Sequence, residues 1–89
     1  MARVHFTSWL REHVPNGSVA ASGATVAEAL ACVFATEPQV RGYVLDDQGR
    51  LRKHVCIFAD GVRLTHNVAL AHPIRPDSIL YVMQALTGG

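Results

Sequence analysis

A single strong helix signal lies near the middle of this 89-residue chain, and segments with strand patterns flank it on both sides. Thr25 is followed three residues later by Glu28, the capping-box arrangement that satisfies free backbone amides at a helix start. Pro38 sets the end of the helix shortly before it. A chain with one such helix has to bury its apolar stripe against a sheet made by the rest of the sequence. The stripe recurs at three- and four-residue spacing and consists of Val26, Ala29, Leu30, Val33 and Phe34.

The segment before the helix has the pattern of a β-hairpin. Val4 and Phe6, followed by Trp9-Leu10, predict a first strand by their alternation. Asn16-Gly17 is a turn signal, and residues 18–21 predict a short second strand that returns antiparallel to the first.

A second hairpin is predicted after the helix. Residues 54–59 and 62–64 have strand character and flank Asp60-Gly61, the best two-residue hairpin signal in the sequence. The stretch before it is less regular: the run from Tyr43 to Leu45 predicts a short extended piece, and residues 46–49 predict a turn.

The last third of the chain ends in a strand pattern. His72-Pro73 and Arg75-Pro76 forbid a long regular element, so residues 65–77 are predicted to be a loop with one helical turn. Residues 78–85 then predict a final strand.

These elements give an α+β fold, a mixed sheet of four to five strands packed on one main helix. If the first and last strands pair in parallel at the centre, each hairpin extends outward, and this is the β-grasp arrangement. We expect residues 1–84 to form the domain and residues 85–89 a flexible tail. At about 3.3 Å per residue, that tail would project on the order of 16 Å.

Composition excludes several function classes. Eight Lys and Arg against seven Asp and Glu give a net charge of +1, so nucleic acid and membranes are not expected partners. No apolar run is long enough to span a bilayer. The five histidines and two cysteines show no metal-ligand spacing, and four-cysteine iron–sulfur sites are excluded by count, so no metal or bound cofactor is expected.

The two cysteines, Cys32 and Cys56, lie in apolar patterns, which is typical of inert free thiols in the core. Free thiols persist in reducing compartments, so we expect a cytoplasmic protein.

The tail carries the chemistry. With average glycine usage of about 7%, Gly88-Gly89 at the last two positions arises by chance in roughly 0.5% of chains. A terminal Gly89 carboxylate is unhindered, flexible and able to attack the α-phosphate of ATP, giving an acyl-adenylate that accepts sulfur or nitrogen nucleophiles. The sequence has no phosphate-binding motif, so ATP and Mg²⁺ would be handled by a partner, and the chain is not expected to be an enzyme.

Three segments resemble the MoaD/ThiS family of β-grasp sulfur carriers, which comprises the molybdopterin synthase small subunit and the carriers of thiamine and cysteine biosynthesis. Residues 4–12 (VHFTSWLRE) resemble the family's opening strand and turn, residues 23–30 (GATVAEAL) its helix start, and residues 86–89 (LTGG) its tail. Residues 49–58 (GRLRKHVCIF) are most similar to the cysteine-pathway branch, and the molybdopterin synthase subunit is the other branch considered. The family's usual motif before the last strand is absent here, so the resemblance does not identify the pathway.

The resemblance implies a function and a set of partners. An E1-like enzyme adenylates Gly89, a sulfur donor converts it to a thiocarboxylate, and the thiocarboxylate delivers sulfur to a biosynthetic enzyme. Gly88, Thr87 and Leu86 would form the tail that enters those active sites. Partner docking in the family uses the exposed sheet face and the root of the tail, which makes Phe58, Tyr81, Met83 and Leu86 the candidate contact residues.

Two alternatives stay open. A ubiquitin-like modifier would be joined through Gly89 to lysines of target proteins, and Lys53, the sole lysine, leaves little scope for chains built on the modifier itself. A plain interaction module would carry an idle tail.

Overall fold

The computed structural model describes residues 1–66 and 68–84. Within these ranges, five strands form one mixed sheet in the order β2-β1-β5-β3-β4. Their bounds are Ala2–Phe6 (β1), Ser18–Ala21 (β2), Val55–Ala59 (β3), Val62–Arg63 (β4) and Ile79–Gln84 (β5).

The first and last strands lie side by side at the centre of the sheet. β1 and β5 are parallel, with His5 opposite Tyr81 and Phe6 opposite Val82. β2 is antiparallel to β1, and β3 is antiparallel to β5. Each hairpin therefore extends outward from the central pair, and the fold is the β-grasp predicted from the sequence.

Helix α1 spans Val26–Thr36 and covers one face of the sheet. The hydroxyl oxygen of Thr25 accepts a hydrogen bond from the Glu28 amide at 3.2 Å, and the Glu28 carboxylate accepts one from the Ala24 amide at 2.9 Å. These two bonds satisfy amides that the first helical turn leaves without partners. The predicted apolar stripe of α1 is buried along its length.

The core lies between this stripe and the inward side chains of the central strands. Because side chains alternate along a strand, every second residue of β1, β3 and β5 points at the helix. These inward residues are at most 4% exposed and include Val4, Phe6, Val55, Ile57, Ala59, Leu80 and Val82.

The segment after β1 differs from its prediction. The chain does not continue as a strand through Trp9-Leu10 but forms a 3-10 helix over Ser8–His13. Phe6, Leu10 and Val14 are all buried and are spaced by four residues. The 3-10 helix therefore returns Leu10 and Val14 to the same core cluster as Phe6.

The run from Tyr43 to Leu45 is also not extended as predicted. Pro38 opens a 3-10 turn over Pro38–Val40, and helix α2 follows directly at Arg41–Val44. Val40 and Val44 are both fully buried and lie four residues apart. The sequence did not show this spacing clearly, because Val44 lies within the continuous apolar run from Tyr43 to Leu45. The predicted turn after it is present, with the Gly49 amide donating to the Asp46 carbonyl at 3.0 Å.

The second hairpin and the proline loop follow their predictions. Asp60 and Gly61 have φ values of 51° and 85°, the left-handed pair that a tight two-residue hairpin turn requires. In the described part of the loop that follows, a 3-10 turn spans Ala69–Ala71. No helix in the described ranges is both long enough and apolar enough to cross a bilayer.

Candidate partner-binding face

One face of the sheet points away from α1, and we call it the open face. Its side chains come from the strand positions that alternate with the buried ones. They belong to all three central strands: Arg3 and His5 from β1, Cys56 and Phe58 from β3, and Ile79, Tyr81 and Met83 from β5.

Three of the four predicted contact residues lie together on this face. Phe58 is directly opposite Tyr81 in the antiparallel β3–β5 pair, and Met83 is opposite Cys56. Tyr81 is 39% exposed, whereas Phe58 and Met83 are half-buried. Aromatic and methionine side chains that keep solvent-exposed surface are the residue types enriched at protein interfaces.

His5 extends the aromatic surface onto β1. Its ring stacks on the Tyr81 ring with centroids 4.9 Å apart and an angle of 17° between the planes. The sequence analysis did not select His5 or Arg3, although burial of Val4 and Phe6 places both on the open face by alternation. The missing information was the register of β1 against β5, which places His5 opposite Tyr81 and allows the two rings to stack.

The strands carry cations but no carboxylates. Arg3 and Arg63 are exposed members of β1 and β4, and none of the five strands contains Asp or Glu. The acidic side chains that nearly balance the charge of the chain lie in loops, turns and helices instead. The open face is therefore amphipathic and positive, and it suits a partner surface with apolar groups and carboxylates.

The open face extends to the last described residues of β5. β1 and β5 run in the same direction, and the Thr7 amide donates to the Val82 carbonyl at 3.2 Å where β1 ends. Gln84 ends β5 at that same edge of the sheet. The predicted tail residues Leu86, Thr87, Gly88 and Gly89 lie outside the described residues.

Cys56 does not lie in the core as expected. It is half-buried on the open face, because Val55 and Ile57 take the inward positions of β3. Cys32 is half-buried on α1 and packs against the core. Both thiols are free. Within the described ranges, no three His, Cys, Asp or Glu side chains are grouped so that they could hold a metal ion.

Solved structures share this architecture across the whole chain. A chain in the crystal structure of the Amycolatopsis orientalis BexX/CysO complex aligns with a TM-score of 0.86 and 21% identity, and the alignment covers 100% of both chains. CysO of Mycobacterium tuberculosis aligns with a TM-score of 0.85 and 22% identity over 97% of this chain and 100% of that one.

A structure of archaeal origin is similar to the same degree. SAMP1 of Haloferax volcanii, small archaeal modifier protein 1, aligns with a TM-score of 0.83 and 21% identity over 99% of this chain and 98% of that one. No protein-family model and no curated protein sequence matches the chain. The structural similarities establish the ubiquitin-like β-grasp fold.

Proposed function

We propose that this chain is a sulfur carrier that works through the carboxylate of Gly89. The observation that carries the proposal is the central position of β5, whose final described residue, Gln84, stands five residues before Gly89 at the edge beside the open face. A strand fixed on both sides by neighbours is a rigid base for whatever follows it. Similarity to CysO, including a chain from a BexX/CysO complex, supports the same interpretation.

The reaction proceeds in two steps on partner enzymes. The Gly89 carboxylate attacks the α-phosphate of ATP, pyrophosphate leaves, and a mixed anhydride with AMP forms. Hydrosulfide then attacks the glycyl carbonyl, AMP leaves with the bonding electron pair, and a thiocarboxylate remains. ATP and Mg²⁺ bind to the E1-like activating enzyme, and the carrier itself binds no cofactor and acts as a substrate.

The open face is the docking surface in this proposal. Phe58, Tyr81 and Met83 would contact the activating enzyme and, later, the biosynthetic enzyme that accepts sulfur. Exposed aromatic surface next to the strand end supports this role, because a partner that covers it also reaches the chain beyond Gln84. We place the carrier in the cytoplasm, where ATP and reducing conditions are available for this chemistry.

A second function is favoured by one comparison. SAMP1 is by name a modifier protein, and its structure covers nearly all of this chain. In that case the activated Gly89 carbonyl would be attacked by a lysine amine of a target protein, and an isopeptide bond would replace the thiocarboxylate. The open face and the activation step would be the same.

Mass spectrometry separates the two functions. The intact chain is incubated with an E1-like enzyme, ATP and sulfide, and its mass is compared with that of a chain lacking Gly88 and Gly89. Exchange of one oxygen for sulfur at the terminus supports the carrier. A glycyl-glycyl remnant on lysines of other proteins in cells, without that exchange, supports the modifier. If neither product forms, the chain is a plain interaction module.

A further inference from the structure

A small cleft lies beside the open face where β1 ends. Its volume is about 290 Å³. It is lined by His5 and Tyr81, whose rings stack on each other, and by residues of the segment that links β1 to β2. The polar and backbone groups lining it belong to His5, Thr7, Arg11, Asn16, Gly17 and Tyr81.

Arg11 is held over this cleft by the absence of a side chain at Gly17. Gly17 is buried and has a φ of 71°, in the left-handed region that favours glycine. A Cβ atom at that position would lie 2.8 Å from both Cγ and Nε of Arg11. The stem of Arg11 therefore occupies the space that any other residue at position 17 would fill.

The guanidinium of Arg11 has no partner among the residues that the structure describes. It forms no hydrogen bond or ion pair with them, whereas Arg50 and Arg75 are paired with carboxylates and Arg3 donates to Ser18. An arginine whose stem is packed and whose head group is unpaired has lost conformational freedom before any ligand binds.

The chemistry of the cleft fits a carboxylate. A guanidinium presents a planar fork that matches the two oxygens of a carboxylate. Thr7, Tyr81 and His5 also carry hydrogen-bonding side chains, and none of the described lining residues is acidic. Among the described lining residues, Arg11 is the only arginine or lysine, which suits a ligand with one negative charge.

We propose that this cleft binds one Asp or Glu side chain of the activating enzyme while that enzyme covers the open face. The inference rests on the proposed function, and it names the contact that orients the carrier. Because Tyr81 belongs both to the cleft and to the strand that ends at Gln84, an ion pair with Arg11 would fix the base of the tail relative to the active site of the enzyme.

Steady-state pyrophosphate exchange with the activating enzyme tests the proposal. R11A is compared with R41A, which removes an equally charged, exposed arginine on the helix side of the sheet. Losing a hydrogen bond to a charged group should raise the KM for the carrier by about tenfold in R11A, with kcat unchanged. R41A should change KM by less than about twofold.

A second pair of variants tests the packing of Arg11 without removing its charge. G17A places a methyl group against the Arg11 stem, whereas G61A imposes a similar φ strain at 85° with no atom within 4 Å of the new methyl group. We expect a raised KM for G17A and an unchanged KM for G61A. Circular dichroism melting curves confirm that each variant assayed is folded.

The outcomes separate the inference from its premise. No exchange with the unaltered chain would overturn the proposed function and the inference together. Exchange with equal KM for R11A and R41A would overturn the inference alone.

Discussion

At the scale of single residues, Asp60 links the second hairpin to the start of β5. Its carboxylate accepts hydrogen bonds from the Ile79 amide at 2.8 Å and from the Ser78 hydroxyl at 2.9 Å, and Arg75 lies 3.9 Å away. Its own amide donates to the Ile79 carbonyl at 2.8 Å. Ser78 is 1% exposed, so solvent cannot readily replace the hydrogen bond from its hydroxyl to Asp60.

These contacts lower the pKa of Asp60 below its ordinary value of 3.8, chiefly through the Ile79 amide and then through the Ser78 hydroxyl. A carboxyl whose pKa is lower in the folded state stabilises the fold above its unfolded pKa. That contribution is lost as the pH falls through the folded pKa. The stability that the Asp60 carboxylate contributes should therefore decrease as the pH falls into the acid range.

We expect D60N to be less stable than the unaltered chain at pH 7 and to approach it in stability as the pH falls below about 4. Asparagine tolerates the left-handed backbone at this position, so the substitution removes the charge without adding strain. Urea unfolding followed by circular dichroism at several pH values measures this difference. A stability gap that stays constant from pH 7 to pH 3 would show that the charge of Asp60 contributes nothing.

At the scale of elements, the capping box of α1 depends only on contacts between residues close in sequence. The bonds among Ala24, Thr25 and Glu28 use only neighbouring residues, and the first turn carries no other acidic side chain. Such a cap acts on the helix before any tertiary contact forms.

Replacing Thr25 with alanine should lower the free energy of unfolding by about 1 kcal/mol, because the Glu28 amide loses its acceptor. T36A is the matched control: that hydroxyl donates to the Val33 carbonyl at 3.1 Å inside the last turn and caps no free amide. Chemical denaturation of both variants measures the difference. Equal losses for T25A and T36A would contradict a capping role.

The open face makes a different kind of prediction, because it concerns binding and not stability. Tyr81 and Tyr43 are each 39% exposed, and each stacks on a histidine, with ring centroids 4.9 Å from His5 and 4.8 Å from His13 respectively. The two tyrosines have similar surroundings, but only Tyr81 lies on the open face.

Y81A should weaken binding of the activating enzyme by at least about tenfold if Tyr81 is a central interface residue, because truncation of such an aromatic costs about 2 kcal/mol. Y43A should leave the affinity unchanged. Isothermal titration calorimetry with the activating enzyme gives both values. The docking surface would lie elsewhere if the two variants bound equally well.

Elements with a strong local signal could be predicted from the sequence, and elements set by packing could not. The α1 cap and the Asp60-Gly61 turn are fixed by neighbouring residues, so their patterns were sufficient. The 3-10 helix at Ser8–His13 and helix α2 depend on which apolar side chain the core accepts, and short apolar runs fit either period.

The same distinction holds for the candidate site. Phe58, Tyr81 and Met83 were selected because the family that the sequence resembles docks its partners on the exposed sheet face. His5 and Arg11 were not selected, although the parallel pairing of β1 and β5 was predicted. Their places depend on the register that sets His5 opposite Tyr81 and on the space that Gly17 leaves for the arginine stem. A single sequence displays neither the register of two strands nor the packing of two side chains.

At the scale of the whole molecule, the fold separates two tasks. One face of the sheet is closed by α1 and holds the core, and the other face stays open with aromatic and cationic side chains. The central pairing of β1 and β5 places the end of β5 beside that open face. A scaffold of this kind has surface available for a partner without giving up any of its core.

The most direct test of the account is adenylation of Gly89 itself. ATP–pyrophosphate exchange by the activating enzyme is measured with the unaltered chain and with a chain extended by one alanine after Gly89. The account predicts exchange with the first and none with the second, because the added residue replaces the reactive carboxylate by a peptide bond and offers a hindered terminus. Equal exchange with both chains would contradict it.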